Sequence, residues 1–276
     1  MAFTRVNGVT LYYEVHGKGD PLLLIMGLGA NATGWSSQVP SFSREYQVIA
    51  FDNRGAGRSH KPNEPYSMDQ MADDAHALLD ELGVGPAHVF GMSLGGMIAQ
   101  ELMLRHPRHV RSLILGGTMA GGPTALFAGP EVVQHFISLA GMPLAQAVEA
   151  GLALLYSADY IAKNKGELVR RSLLNAYLMA PMYAIQRQFM AVVGFNTFGR
   201  LSEIKVPTLV LTGTADRVMP AQNSRVLAEG IPGAHLVEFE GAGHGFLVEC
   251  AEQVNSTVLD FLRQERGPRA PPLLTN

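Results

Sequence analysis

The 276-residue chain has one cysteine, Cys250. A single thiol excludes an intramolecular disulfide and a cysteine-based zinc site. Charge is scarce as well: 16% of residues are charged, 21 basic against 24 acidic, for a formal net charge of −3. No basic field gathers phosphates, so nucleic acid is not expected as a partner. The longest apolar stretch, residues 22–30, falls far short of the roughly 20 residues that span a bilayer. Residues 1–17 alternate polar and apolar and contain no continuous apolar core of a signal peptide. The expectation is a soluble, cytoplasmic protein with no membrane partner. What is abundant is apolar: 47% of residues, enough to bury a sizeable core. Disorder, collagen-like repeats and coiled coil are thereby excluded for the chain as a whole. Composition does not set the oligomeric state.

Residues 3–15 read as two strands around Asn7-Gly8, a favoured hairpin dipeptide. Short, nearly continuous apolar runs follow at residues 22–26, 47–51, 88–90, 112–115 and 208–211. Such runs suit strands covered on both faces, as in a parallel sheet. Between them lie helix-length segments. Residues 68–82 space Met71, Ala75, Leu78, Leu79 and Leu82 at three and four, with Gly83 as a stop, and residues 97–105 form a second helix that ends at His106-Pro107. Strands alternating with helices predict an open, mostly parallel α/β sheet.

That rhythm fails over residues 119–200. Gly129-Pro130, Gly141-Met142-Pro143 and Ala180-Pro181 separate helical patterns there, and no strand is evident. The expected organisation is a core domain of residues 1–118 and 201–266, an inserted helical cap of residues 119–200, and a disordered Pro-rich tail of residues 267–276. Met and aromatic residues are frequent in the cap. Met119, Phe127, Phe136, Met142, Tyr177 and Met182, with Phe246 beyond it, are the candidates for contact with an apolar, small to medium substrate. Arg187, Arg200 and Arg217 are candidates to pair with a substrate carboxylate.

The strongest chemical signal is Gly91-Met92-Ser93-Leu94-Gly95, followed by Gly96, between a strand and a helix. A reversal this tight lifts the serine Oγ clear of the sheet edge and requires flanking residues without side chains. A serine needs a general base to attack near pH 7, and the base needs an acid to orient it. Asp216 follows the strand at 208–211, and His244 stands in Gly243-His244-Gly245 after the strand-like residues 235–239. Both therefore fall in loops at the strand ends where open α/β sheets build their sites. Met26-Gly27-Leu28-Gly29 follows another strand on that edge and offers the Leu28 N–H beside that of Leu94 as an oxyanion hole. Asp52-Asn53-Arg54-Gly55-Ala56-Gly57-Arg58-Ser59 reads as a tight loop in which Asp52 and Arg54 hold backbone rather than substrate.

On these residues the chain resembles the α/β-hydrolase superfamily, from Phe3 to about Arg263, and within it bacterial carboxylesterases and 3-oxoadipate enol-lactonases. The resemblance implies an eight-stranded, mostly parallel sheet and a helical cap. It also implies Ser93 as nucleophile, Asp216 as acid, His244 as base, and Leu28 and Leu94 as oxyanion donors. The expected activity is hydrolysis of a carboxylic ester through an acyl-enzyme. A lactonase of the enol-lactonase type and a slow-turnover or non-catalytic ligand receptor remain as alternatives. Superfamily members with an Asp nucleophile do not fit an elbow carrying Ser93. Carbon–carbon bond hydrolases do not fit Met92 and Gly245, where they carry Asn and Trp. Met26-Gly27 replaces the usual His-Gly of the oxyanion loop.

Gly27-Leu28-Gly29-Ala30-Asn31-Ala32 also satisfies a dinucleotide fingerprint, with Asp52 as its acid. Gly34, Trp35 and Pro40 spoil the helix that reading needs, so no cofactor is expected. His106-Pro107-Arg108-His109 holds two histidines, but proline breaks the helical face they would share. It reads as a solvated helix end, and no metal site is expected. Cys250 reads as a small buried residue.

Overall fold

The computed structural model describes residues 1–139 and 141–265. The tail at 267–276 lies outside the described residues. Eight strands form one sheet: β1 (Ala2–Val6), β2 (Val9–His16), β3 (Asp20–Ile25), β4 (Tyr46–Phe51), β5 (Ala87–Met92), β6 (Val110–Gly116), β7 (Thr208–Gly213) and β8 (His235–Phe239). Their order is β1-β2-β4-β3-β5-β6-β7-β8. β1 and β2 pair antiparallel, as do β2 and β4, and every later pair is parallel. The hairpin turns where expected, with Asn7 and Gly8 both left-handed at φ 45° and 80°. This is the mostly parallel sheet that the apolar runs predict, with the eight strands that the resemblance implies.

Those runs are continuous because alternate residues enter different cores. Leu23, Ile25, Val89, Leu113, Leu115 and Val210 join one cluster, and Leu22, Leu24, Phe90, Ile114, Leu209 and Leu211 join the other. The helices in chain order are α1 (Val39–Phe42), α2 (Met68–Glu81), α3 (Leu94–Arg105), α4 (Pro130–Leu139), α5 (Leu144–Leu155), α6 (Ala158–Leu174), α7 (Met182–Val193), α8 (Gln222–Gly230), α9 (Phe246–Glu249) and α10 (Ala251–Gln264). α2 and α3 cover the first core with Met71, Ala75, Leu78, Leu79, Met97, Ile98 and Leu102. α10 covers the second with Val254, Val258, Phe261 and Leu262.

Local signals set the ends of α2. The Ser67 hydroxyl accepts from the Gln70 N–H at 3.1 Å. At the other end Gly83, at φ 62°, lets Val84 N–H bond the Leu79 carbonyl and Gly83 N–H bond that of Asp80, a Schellman close. α3 departs from its expected bounds. It starts at Leu94, a turn earlier than residue 97, because Gly95 and Gly96 are helical. Glycine there answers to tight packing and not to a loop.

Four helices, α4 to α7, stand between β6 and β7. The breakers fall at their starts: Pro130 is the first residue of α4, Pro143 caps α5 and Pro181 caps α7. Between β6 and β7 the only strand-like pairing among the described residues is the isolated Gly121–Asn196 bridge.

The loop at 52–59 is held from below by a buried ion pair. Arg54 Nε and Nη2 donate to Asp74 Oδ2 and Oδ1 at 2.5 and 2.8 Å, and both residues are 1% exposed. Asn7 Nδ2 adds a bond to Asp74 at 3.2 Å. Removing one partner of such a pair strands a charge. Asp74→Ala is expected to lower unfolding stability by about 3–5 kcal/mol, read from urea denaturation. A loss under about 1 kcal/mol would mean that Arg54 is satisfied without Asp74.

Candidate active site

β5 runs directly into α3 with Ser93 between them at φ 57° and ψ −120°. A non-glycine residue in that region costs of order 1–3 kcal/mol and persists only where its surroundings impose it. Three hydrogen bonds do so. Ser93 N–H donates to the Gly116 carbonyl at 2.8 Å, while the Ser93 carbonyl accepts from Thr118 Oγ1 at 2.7 Å and Gly96 N–H at 2.9 Å. A Cβ at Gly91 would collide with the Gly95 carbonyl, and one at Gly95 with the Ile25 carbonyl oxygen. α3 thus begins against the end of β3, with Leu94 as its first residue and its first N–H groups lacking partners within the helix.

Asp216 and His244 meet across the β7 and β8 loops. His244 Nδ1 lies 2.7 Å from Asp216 Oδ2, and the Asp216 side chain is wholly buried. The other carboxylate oxygen accepts from Val218 N–H at 2.9 Å and Met219 N–H at 2.7 Å, which fixes its orientation. His244 is 8% exposed. Its Cε1 would be 3.4 Å from a Cβ placed on Gly117, so the ring packs against the residue next to the Gly116 carbonyl that anchors Ser93. The end of β6 is shared by both groups.

The Gly27 loop is the third part. A Cβ there would stand 3.1 Å from Ser93 Cβ and 3.6 Å from Ser93 Oγ, so this glycine lets the loop approach the serine. The 52–59 loop supports it as expected: Asn53 Nδ2 donates to the Met26 carbonyl at 2.9 Å, and Asp52 Oδ1 accepts from Ala32 N–H at 2.7 Å. Burial pushes the Asp52 carboxyl up, offset in part by the N–H groups of Ala32 and Arg58. With both oxygens bonded to backbone and no exposure, Asp52 does not face a ribose. The segment after Gly29 forms a single 3-10 turn at Ala32–Trp35, not the long helix of a dinucleotide site.

Two polar residues tie the α4–α7 segment to these loops, and sequence reasoning missed both. Gln188 of α7, fully buried, accepts from Gly29 N–H at 2.7 Å through Oε1 and donates from Nε2 to the Arg54 carbonyl at 2.8 Å. Its signal was an amide on the buried stripe Ala184, Gln188, Ala191, Val192. Glu249 accepts from Gly243 N–H at 3.1 Å, and from the Ser157 hydroxyl and N–H at the cap of α6. Gly245 N–H donates to the Leu155 carbonyl at 2.6 Å. A Cβ at Gly245 would collide with the ring of Tyr156, whose hydroxyl burial pushes up to about 12. Burial, then the charge of Glu249, also raises the Cys250 thiol.

The candidate substrate contacts divide. Met119 and Phe246 are fully buried and belong to the two cores, with Phe246 stacked on Phe239 at 5.4 Å. Phe127, Phe136, Met142, Tyr177 and Met182 are exposed on the α4–α7 segment, Tyr177 most of all at 78%. Of the arginines, Arg200 pairs with the buried Glu101, Arg217 lies 3.5 Å from Glu131, and Arg187 donates to Asn63 at 3.4 Å.

A doubly covered, mostly parallel sheet with a strained serine at a strand-to-helix turn and an Asp–His pair on the same edge defines a hydrolase of the α/β type. The chain belongs to the alpha/beta hydrolase fold family, whose model matches residues 20–250. Among its relatives is a protein of Azorhizobium caulinodans that carries the name carbamate hydrolase RutD, 35% identical over 95% of this chain and 98% of that protein. Among solved structures, the enol-lactonase from Burkholderia xenovorans LB400 superposes with a TM-score of 0.82 at 29% identity, covering 95% of this chain and all of that one. A thermophilic esterase from Thermogutta terrifontis gives 0.78 at 26% identity, over 96% and 97% of the two chains.

The elbow makes a direct prediction. Gly95→Ala places a methyl group on the Ile25 carbonyl, 3.0 Å from that of Met26, where only backbone stands to yield. The variant is expected to accumulate as insoluble protein, checked by soluble yield and circular dichroism. Native yield and an unchanged melting midpoint would show that α3 can move away from β3.

Proposed function

We propose that this chain is a serine hydrolase that cleaves a carboxylic ester through an acyl-enzyme. The observation that carries the reading is the 2.7 Å His244–Asp216 contact on the edge that bears the Ser93 elbow. With Nδ1–H donated to Asp216, the neutral imidazole keeps a lone pair on Nε2. Ser93 Oγ adds to the substrate carbonyl carbon while its proton passes to Nε2. Asp216 stabilises the resulting imidazolium, and the Leu28 and Leu94 N–H groups meet the oxyanion. The ester C–O bond then breaks and the alcohol leaves with the proton from His244. Water, deprotonated by His244, attacks the acyl carbon, and the acid product leaves as Ser93 recovers its proton. Residues 119–200 act as a cap over a core of residues 1–118 and 201–266, and the apolar side chains on the cap favour an apolar substrate group.

A second reading rests on the relative from Azorhizobium caulinodans: the substrate carbonyl is that of a carbamate. The same steps then pass through a carbamoyl group on Ser93. Initial rates on p-nitrophenyl esters of increasing acyl length, lactones and p-nitrophenyl carbamates, for wild type and Ser93→Ala, test both. The variant is expected to lose about 10⁴-fold or more in kcat on every substrate turned over. Wild-type rates in Ser93→Ala would overturn the mechanism. A carbamate preferred to the matched ester would select the second reading, and a preferred lactone the enol-lactonase type.

Gln188 positions the oxyanion loop from the cap. Losing its bond to Gly29 N–H leaves the neighbouring Leu28 N–H less well aimed, and small misplacements at a reacting centre are costly. Gln188→Ala is expected to lower kcat about 10- to 100-fold on the best ester with a smaller change in KM. An unchanged kcat in a folded variant would remove Gln188 from the mechanism.

A further inference from the structure

At the far end of α3 from Ser93, three imidazoles and two carboxylates gather from separate parts of the chain. His76 and Asp80 stand one helical turn apart on α2, and His109 follows α3 after Pro107. His76 Nε2 lies 3.2 Å from His109 Nδ1 and 3.6 Å from Asp80 Oδ2, and His109 Nε2 is 3.6 Å from Asp80 Oδ1. One ligand atom from each of the three residues falls within 4.8 Å of the others. Metal–ligand bonds of about 2.0–2.1 Å in a tetrahedron set its ligands about 3.3 Å apart. The short distances from His109 run through both of its ring nitrogens; with one atom from each residue the three lie within 4.8 Å, so a small side-chain adjustment closes them onto such edges. The pair His76 and Asp80 sits at the i, i+4 spacing that puts two side chains on one face.

Neighbours orient these ligands. The His106 ring stacks on that of His76 at 3.9 Å between centroids and 12° between planes, and the His109 ring meets His76 edge-on at 4.3 Å. His106 Nε2 in turn lies 2.7 Å from Asp73 Oδ1, a carboxylate that Arg105 also grips at 2.8 Å. Asp73 thus fixes the His106 ring that packs on the ring of the candidate ligand His76. The cluster is open to solution, with side-chain exposures of 19% for His76, 35% for His109 and 55% for Asp80.

We propose that His76, Asp80 and His109 bind a divalent transition cation, with zinc as the best fit, and so clip the end of α2 to the connection between α3 and β6. Two imidazoles and one carboxylate select zinc and its neighbours over magnesium or calcium, which take oxygen ligands. Water fills the fourth position. α3 has 12 residues and so spans about 18 Å, which separates this site from Ser93 and makes its role one of stability. The expectation of no metal rested on a helical face shared by the histidines at 106 and 109; the proposed site does not use one, because α2 supplies the partners of His109.

The test is calorimetric titration of the chelator-treated full chain with zinc chloride, beside thermal unfolding with and without zinc. One zinc per chain is expected, with a rise in Tm of about 5–10 °C at a hundredfold excess over Kd. Asp80→Asn, at a side chain 55% exposed, and His109→Asn should each weaken binding at least about tenfold. His106→Phe, which keeps the stack and loses the link to Asp73, should weaken it by about the same factor, and His235→Ala should bind as wild type. No binding up to millimolar zinc would overturn the proposal. So would wild-type affinity in both Asp80→Asn and His109→Asn, since the metal would then sit elsewhere.

Discussion

The missing side chains at Gly91 and Gly95 are the constraint on which the site depends. Without them the first turn of α3 lies against the end of β3, where a Cβ at either position would meet a backbone carbonyl. That approach holds Ser93 in a conformation that a free chain seldom adopts, and backbone bonds to Gly116 and Gly96 with a side-chain bond from Thr118 keep it there. The same closeness sets Gly27 beside the serine Oγ and Gly117 beside the His244 ring. Three loops from three strands are thus packed against one another through glycines. A Cβ at Gly91 or Gly95 would meet backbone, and one at Gly27 or Gly117 would crowd the side chains of Ser93 and Met92 at 3.1 and 3.0 Å.

The α4–α7 segment meets this edge through polar hooks. Gln188 reaches Gly29 and Arg54, and Glu249 joins the His244 loop to the cap of α6. A buried amide is costly unless bonded, and Gln188 is bonded through both its oxygen and its nitrogen, while the half-buried Glu249 accepts on both oxygens. Much of the rest of the segment leaves apolar side chains in solvent, among them Ile137, Leu174, Tyr177 and Met190. Its attachment is therefore local and directional. Within the proposed hydrolysis, such an arrangement lets the helices change the substrate pocket while the backbone donors stay aimed.

The strands were legible because a sheet covered on both faces must be apolar at every position, and a run of such residues bounded by turn residues suits few structures besides a buried strand. β8 matched its expected bounds in full, and α2 matched to within a residue, since capping and a terminal glycine act over a few residues only. Where expectation erred, one residue type had two uses. Gly95 and Gly96 read as the loop before a helix, yet they belong to its first turn because packing against Ile25 and Thr118 needs them small. Met119 and Phe246, candidates for substrate contact, are buried within the two cores, and an apolar side chain looks the same in either place.

By itself, then, the sequence determined the layered sheet, the elbow, and the edge on which Ser93, Asp216 and His244 fall, because chain order and strand direction suffice to assign loops to an edge. Only the tertiary structure decided what those loops touch. The 2.7 Å approach of His244 to Asp216 spans 28 residues, the hold of Gln188 on Gly29 spans 159, and the meeting of His76 with His109 spans 33. Contacts of that kind follow from how elements pack across the fold. No local pattern of spacing encodes them, and so the supporting residues emerged only with the structure.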